Sequence, residues 1–339
     1  MTRKSNLFYK IYGSLAGVAI GDAFGTPGLF SYQETQMHYS EITSFTKPSS
    51  LHLSHFGLEA GEVTDDTFQT YAIADAIIDA GSVEEQTIIS YLRKWYQSAS
   101  ERQKQLTGPS FSKAMTDAAN GVDLNKNENT NYTNGAAMRI SPIGWLHLNS
   151  ETKEIVRDVY KASSFSHGTN LAISGASAIA CAVSNALSEQ ATIESVIKAG
   201  KDGADVGKQF GVKWYCPSIS RRIDLAVEIS PPGKPRQEVI RDLYDYLGAW
   251  ISMEQCIPSV FGLFYWAQAD PMKTIIAATN MGGDADTIAS MVGSLCGAFS
   301  GIDAFPPEHI DMIEQVNHLE LKLLSERFYY RFYPAAEQD

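Results

Sequence analysis

The amino-acid sequence predicts an all-α fold, and two observations support this prediction. Apolar residues recur at spacings of three and four along the chain, as in Phe68, Tyr71 and Ala72 and again in Ile88, Leu92 and Trp95. This spacing places side chains on one face of a helix. No segment shows the sustained apolar–polar alternation that is typical of a half-buried β-strand. Hydrophobic residues make up 44% of the 339 residues, so the chain can bury a sizeable core.

The first predicted helix contains the apolar run Ile11–Ile20. Basic residues precede the run, in the manner of a secretory signal peptide: Arg3, Lys4 and Lys10. Small residues interrupt the run and Asp22 ends it, so we expect a helix of the folded protein instead. Glycines recur along it at every fourth position, at Gly13, Gly17, Gly21 and Gly25. On a helix these glycines form one ridge, where a second backbone can approach closely.

Three further apolar segments predict helices in the second half of the chain. Leu171–Leu187 and Ile288–Phe299 are rich in small residues, which favours tightly packed interior helices. A C-terminal amphipathic face consists of Ile310, Ile313, Val316, Leu319 and Leu323. Polar or Pro- and Gly-rich connections separate the helices at 43–61, Asn120–Asn134 and Ser230–Pro235. None of them requires a domain boundary, so we expect residues 1–339 to form a single domain.

Composition and charge exclude several classes of protein. With 39 acidic and 27 basic residues the net charge is −12, which disfavours binding to nucleic acid. No apolar stretch reaches the length of a transmembrane helix. The cysteines have no metal-ligand or redox spacing: Cys181, Cys216, Cys256 and Cys296. We expect buried free thiols in a cytoplasmic protein, with a monomer as the default state.

Two acidic clusters directly precede apolar helices. The first is Thr64-Asp65-Asp66-Thr67 and the second is Gly282-Gly283-Asp284-Ala285-Asp286-Thr287. Magnesium prefers oxygen ligands, which these side chains supply, and the two glycines permit a turn or a close backbone approach. Asp and Thr at a helix start are also common capping residues. Either cluster alone is better explained by helix capping, whereas the presence of two such clusters favours a shared metal site.

The sequence resembles the ADP-ribosylglycohydrolase family in five segments that occur in the family's order. They are the glycine-rich segment Gly17–Gly25, which contains Asp22, the first acidic cluster, Asn134–Pro142, Ser166-His167 with the small-residue helix through Gly175-Ala176, and the second acidic cluster. The matches span about residues 10 to 305. The resemblance implies a compact orthogonal helical bundle and a hydrolase that cleaves an N- or O-glycosidic bond to ADP-ribose or a related ribosyl group.

The resemblance also implies the roles of individual residues. Two Mg²⁺ ions, or Mn²⁺ as the alternative, would be held by Thr64, Asp65, Asp66, Asp284, Asp286 and Thr287. Asp66 or Asp284 would act as the general base. The substrate, a small ribosyl or ADP-ribosyl compound or an ADP-ribosylated protein, would be bound by Asn134, Gly135, Met138, Ser141, His167, Gly282 and Gly283. Asp22 is expected to support the site without being a ligand. His167 is as well explained as a structural histidine, and Met138 and Arg139 as packing and surface residues.

One position departs from the family pattern. Many members carry a glutamate four residues after the last glycine of the first segment, where this chain has Leu29. Leucine can neither transfer a proton nor orient a water. Glu34 or Glu41 can replace the glutamate from the same loop, or both are ordinary surface acids. A phosphohydrolase acting on a nucleotide, a nucleoside hydrolase and a non-catalytic, crystallin-like binding protein therefore remain alternative functions.

Overall fold

The structure is a computed structural model that describes residues 6–52, 54–124 and 129–334. Within these ranges the chain forms seventeen α-helices. In chain order they are α1 (Asn6–Gly25), α2 (Tyr32–Tyr39), α3 (Asp65–Ala80), α4 (Glu85–Ser98), α5 (Glu101–Leu106), α6 (Pro109–Ala119), α7 (Ser141–Leu146), α8 (Thr152–Ser163), α9 (Asn170–Ala186), α10 (Ile193–Gly207), α11 (Ile219–Ile229), α12 (Arg236–Leu247), α13 (Met253–Ala267), α14 (Pro271–Met281), α15 (Ala285–Ser300), α16 (Pro307–Asn317) and α17 (Leu321–Phe332). The only β-pairings in the described parts of the chain are isolated bridges. The all-α prediction is therefore confirmed.

The glycine ridge of α1 packs directly on α15. A Cβ atom added at Gly17 would lie 2.1 Å from the carbonyl oxygen of Gly293, and one added at Gly13 would lie 2.7 Å from that of Gly297. Gly21 meets Ala289 in the same way. The contacts advance along α1 as they recede along α15, so the two helices are antiparallel. The end of α1 consequently lies beside the start of α15, where the second acidic cluster is.

The buried hydrophobic side chains form one cluster that extends from Phe8 in α1 to Tyr329 in α17. Helix α9 is almost entirely buried, as its small-residue composition predicts. Lys10, which the sequence places before an apolar run, is buried in α1 and donates hydrogen bonds to the carbonyl oxygens of Ala186 and Ser188 near the end of α9. These hydrogen bonds join the start of α1 to the end of α9. Arg3 and Lys4 lie outside the described residues.

Two details of the predicted organisation differ from the structure. The C-terminal amphipathic face is divided between α16 and α17, because His318 adopts a left-handed conformation with φ of 53° and ends α16. Three of the four cysteines are buried free thiols, whereas Cys216 is only half-buried. The loop predicted at Asn120–Asn134 is present, although residues 125–128 lie outside the described ranges. Among the described helices none is both long and apolar enough to cross a bilayer.

Candidate active site

A cavity of about 410 Å³ opens at the point where the starts of α3 and α15 meet. Its polar wall contains residues from both acidic clusters, from the end of the 120–134 loop and from the segment before α9: Asp65, Asp66, Thr133, Asn134, Gly135, His167, Asp284, Asp286 and Thr287. Its apolar wall contains Leu29, Phe30, Leu106, Phe111, Met138, Trp250 and Ile251. The cavity thus joins a group of carboxylates to an apolar surface.

Asp22, near the end of α1, fixes the start of α3. It is fully buried, and its carboxylate accepts hydrogen bonds from the amide of Thr64 at 2.9 Å and from the amide and hydroxyl of Thr67 at 3.2 and 2.5 Å. These amides belong to the first turn of α3, which has no intrahelical acceptors for them. Burial raises the pKa of Asp22 to about 7 despite the hydrogen bond from Thr67. Asp22 therefore stabilises the start of α3, which carries the first acidic cluster.

The Gly282-Gly283 turn fixes the start of α15. Both glycines have positive φ, 70° and 72°, and a Cβ atom at either would lie within 2.6 Å of a backbone oxygen. The amide of Gly283 donates to the carbonyl oxygen of Leu29, and the amide of Asp284 donates to that of Ala249, both at 2.7 Å. The glycines are required here because two neighbouring backbone segments approach the turn closely.

The two acidic clusters meet at Asp66. Its Oδ2 atom lies 3.4 Å from the hydroxyl of Thr64 and 3.5 Å from the hydroxyl of Thr287, one from each cluster. Its Oδ1 atom is buried and has no hydrogen-bond partner. Burial, together with the neighbouring carboxylates Asp22 and Asp286, raises the pKa of Asp66 well above the ordinary range. A buried carboxylate in this state needs a proton or a cation.

The other three carboxylates have defined partners on the cavity wall. Gln69 donates to Asp65 at 2.6 Å, Asn134 donates to Asp284, and the Nε2 atom of His55 lies 3.3 Å from Asp286. Burial and the charge of Asp286 raise the pKa of Asp284 to about 7. Among the described residues, no three His, Cys, Asp or Glu side chains are already gathered at metal-binding distances. The donors are nevertheless all oxygens, which suits a hard cation.

His55 and His52 belong to the site, although the sequence interpretation did not include them. The Nδ1 atom of His55 faces the carbonyl oxygen of Thr26 at 3.1 Å and must carry a proton. Burial lowers the pKa of His55, and its Nε2 atom faces the Asp286 carboxylate. The ring of His52 stacks on that of His55 at 4.2 Å. Sequence analysis does not single out these histidines, because they lie in a turn-rich loop without a recognisable motif.

Arg139 links Gln69 of α3 to Ser166, next to His167. The side chain is fully buried and donates to Gln69, which holds Asp65, and to the hydroxyl of Ser166 at 2.5 Å. That hydroxyl contacts Nδ1 of His167 at 3.0 Å, and Nε2 of His167 contacts the hydroxyl of Thr133 at 3.1 Å. The interpretation of Arg139 as a surface residue is therefore wrong.

His167 lies on the cavity wall as a neutral imidazole. Burial, followed by the nearby charge of Arg139, lowers the pKa of His167 to about 3. A Cβ atom at Gly135 would lie 2.7 Å from its Nε2 atom, so the glycine allows the ring to approach the backbone. His167 has both a structural role, through Ser166 and Thr133, and a face on the cavity. The two interpretations of this residue are compatible.

The structure separates three predicted positions from the cavity. Ser141 contacts the hydroxyl of Ser294 at 2.7 Å and does not line the cavity, which removes the basis for a direct substrate contact. Gly282 faces the backbone of Leu29 and Ser31, and Thr64 lies behind Asp66. The remaining predicted metal and substrate residues line the cavity: Asp65, Asp66, Asn134, Gly135, Met138, His167, Gly283, Asp284, Asp286 and Thr287.

Leu29 lines the cavity, and neither candidate replacement for a glutamate does. Glu34 is exposed on α2. Glu41 is also exposed and forms an ion pair with Arg236. Both are surface acids, which leaves the Leu29 position without a nearby proton-transferring side chain from this loop.

Comparisons with known proteins identify the family of this chain. The sequence profile of the ADP-ribosylglycohydrolase family matches residues 3–337. The chain belongs to the ADP-ribosylglycohydrolase family. Its structure is similar to a solved ADP-ribosylglycohydrolase-related protein complex, with a TM-score of 0.71, 21% sequence identity and coverage of 96% of this chain and 99% of that chain. This likeness shows the shared fold.

Several curated relatives of this ADP-ribosylglycohydrolase family member match most of its length. An uncharacterized Escherichia coli (strain K12) protein, YegU, is 29% identical over 92% of this chain and 93% of its own. The ADP-ribosylarginine hydrolase Tri1 of Pseudomonas putida (strain GB-1) is 25% identical over 93% of this chain and 77% of its own. The human ADP-ribosylhydrolase ARH3 is 23% identical over 88% and 87%. The family is one of hydrolases, and the chain has its fold throughout.

Proposed function

We propose that the chain is a magnesium-dependent hydrolase that cleaves an N- or O-glycosidic bond to ADP-ribose or a related ribosyl group. The observation that carries this proposal is the meeting of the two acidic clusters at Asp66, whose Oδ1 atom is buried without a partner. The named activities of Tri1 and ARH3 support the same class of reaction.

The donor set fits magnesium. Carboxylate and hydroxyl oxygens from Asp65, Asp66, Asp284, Asp286 and Thr287 would hold the ions, with Thr64 next to Asp66 as the remaining predicted ligand. Cations would offset the burial and the mutual repulsion that raise the pKa of these acids. Bound magnesium supplies positive charge that orients ribose hydroxyls and lowers the pKa of a water. Manganese has the same preference for oxygen ligands and is the expected substitute.

The protein's own side chains supply positioning and proton transfer. Asn134 holds one oxygen of Asp284, and Gln69 holds one oxygen of Asp65, so both carboxylates are fixed in orientation. Asp66 lines the cavity and has a buried acceptor atom without a partner, and we take it as the general base for an attacking water. Asp284, which lines the same cavity and is held by Asn134, is the alternative base. The water oxygen bonds to C1′ of the ribose as the bond from C1′ to the leaving group breaks, and the proton that the base takes from the water passes to the leaving group.

The test combines a metal-binding readout with a product readout. Wild type, Asp66→Asn and Asp286→Asn are compared with Asp202→Asn, a control with the same charge change on the outer face of α10. We expect magnesium to raise the melting temperature of wild type and the control, but to raise that of the two site variants much less. Mass detection should show ribosyl release that requires magnesium, stops with EDTA and falls about 10²- to 10⁴-fold in Asp66→Asn.

Two results would contradict the proposal. Full activity of both site variants would exclude these carboxylates from the reaction. Magnesium-dependent release of phosphate without ribosyl release would instead favour a phosphohydrolase.

A further inference from the structure

Two aromatic side chains on the apolar wall have no role in the proposed metal and carboxylate chemistry. Phe30 and Trp250 are 45% and 42% exposed, and both line the cavity. Their ring centroids are 5.6 Å apart and their planes are inclined by 39°. Large aromatic rings that face a cavity while remaining this exposed offer unused stacking surface.

The two rings are anchored beside the catalytic carboxylates. The carbonyl oxygen of Leu29, directly before Phe30, accepts the amide of Gly283, and that of Ala249, directly before Trp250, accepts the amide of Asp284. The hydroxyl of Tyr244 also donates to the carbonyl oxygen of Phe30 at 3.1 Å. Successive amides of one turn therefore hold the segments that carry both rings. Their position relative to Asp284 is fixed by backbone hydrogen bonds.

The surroundings of the rings are apolar. Leu29 and Ile251 flank them, with Leu106 and Phe111 on the same cavity. Among the described residues that line the cavity there is no lysine or arginine, and its carboxylates belong to the acidic clusters. This wall offers ring faces and aliphatic carbons to a ligand, without a charged group. A flat, uncharged ligand group can bind there with little loss of hydration.

We propose that Phe30 and Trp250 form a stacking platform that selects a planar, uncharged, heteroaromatic leaving group attached to ribose, such as a nucleobase. The inference rests on the proposed function, because it names the leaving group of that same hydrolysis. The C1′–N bond breaks, the water oxygen bonds to C1′, and the water proton is transferred to the base nitrogen. The reaction requires no oxidant or reductant. In this arrangement Leu29 lines the part of the cavity that receives the leaving group.

Ring faces also attract guanidinium groups, so an arginine leaving group is the rival occupant. The first test measures binding without turnover, by titration calorimetry of free hypoxanthine and of methylguanidine. Trp250→Ala should weaken hypoxanthine binding about tenfold or more, and Trp250→Phe should retain most of it. Trp214→Ala is the matched control, since Trp214 is 44% exposed, stacks on Tyr132 and does not line the cavity. Unchanged hypoxanthine binding in Trp250→Ala, or tighter binding of methylguanidine than of hypoxanthine by wild type, would overturn the inference.

The second test compares substrates that differ in their leaving group. Inosine and ADP-ribosylarginine are assayed with wild type, Phe30→Ala, Trp250→Ala and Trp214→Ala. We expect kcat/KM for inosine to fall about tenfold or more in the two platform variants and to be unaffected in the control. Exclusive turnover of ADP-ribosylarginine would overturn the inference and leave the proposed function intact. Absence of Asp66-dependent turnover of every substrate, with hypoxanthine still bound through Trp250, would instead reject the proposed function.

Discussion

The packing of α1 on α15 makes Gly17→Ala a sharp test of how the fold positions the site. The new Cβ atom would lie 2.1 Å from the carbonyl oxygen of Gly293 and 2.4 Å from its carbonyl carbon. Ordinary contacts of this kind begin at 3.4 Å. Because both neighbours are backbone atoms of a buried helix, no side chain can rotate away. The helices must separate by about 1 Å, the difference between these distances.

The magnitude follows from two opposing effects. Alanine gains about 1 kcal/mol over glycine in a helix interior. Overpacking a well-packed core costs about 1–3 kcal/mol and occasionally more, and the rigid backbone contact places this site at or above the upper end. We therefore expect a net loss of about 2 kcal/mol in the free energy of unfolding, roughly a 30-fold change in the equilibrium constant.

Urea denaturation followed by circular dichroism at 222 nm measures this loss. Gly108→Ala is the control, because a Cβ atom there would have nothing within 4 Å and Gly108 has no positive φ. We expect the control to stay within about 0.5 kcal/mol of wild type. The magnesium-induced rise in melting temperature should also shrink in Gly17→Ala, since Asp22 and Asp286 lie at the displaced ends. A Gly17→Ala protein as stable as wild type would refute the close-packing argument.

Four other predictions concern single side chains. Asp22→Asn should lower stability by about 1–3 kcal/mol, because an amide cannot accept all the bonds from the start of α3, and thermal denaturation should show a smaller response to magnesium. Arg139→Met should lower the free energy of unfolding, measured by urea titration, by about 3 kcal/mol, and Arg139→Lys should lower it less. Burial would raise the pKa of Asp158, but hydrogen bonds from His147 and Lys161 hold it below its ordinary value. The stability that these bonds contribute is present above about pH 4 and is lost in stronger acid. The free energies of unfolding of wild type and Asp158→Asn, measured by urea titration, should therefore become equal at low pH. A thiol reagent should label one cysteine rapidly in the native protein, and Cys216→Ser should abolish that labelling.

Periodicity and motif order predicted the helical fold and the carboxylates of the cavity wall, because both depend on short-range patterns. The four-residue glycine spacing predicted a close helix contact, although it could not name α15 as the partner. The end of α16 was missed since His318 adopts a left-handed conformation that no glycine or proline announces. His55 was missed because its partners, Thr26 and Asp286, are distant in sequence.

Arg139 shows why burial is hard to infer from a motif. An arginine beside Met138 suggests a surface position, since charged side chains are seldom fully buried without partners. Here the partners exist, but they come from α3 and from the segment before α9: Gln69 and Ser166. Only the folded chain brings them together.

The position of Asp22 explains why the glycine ridge and the acidic clusters occur in one protein. The ridge brings the end of α1 against the start of α15, and Gly25 there would place a Cβ atom 2.2 Å from the Cα atom of Asp286. One helical turn earlier, Asp22 receives the first amides of α3. A single helix thereby sets the separation between the two clusters, and a change in its packing on α15 alters the distance between their carboxylates. On this argument, residues of the ridge should affect magnesium binding more strongly than equally buried residues of α9 that pack on α10.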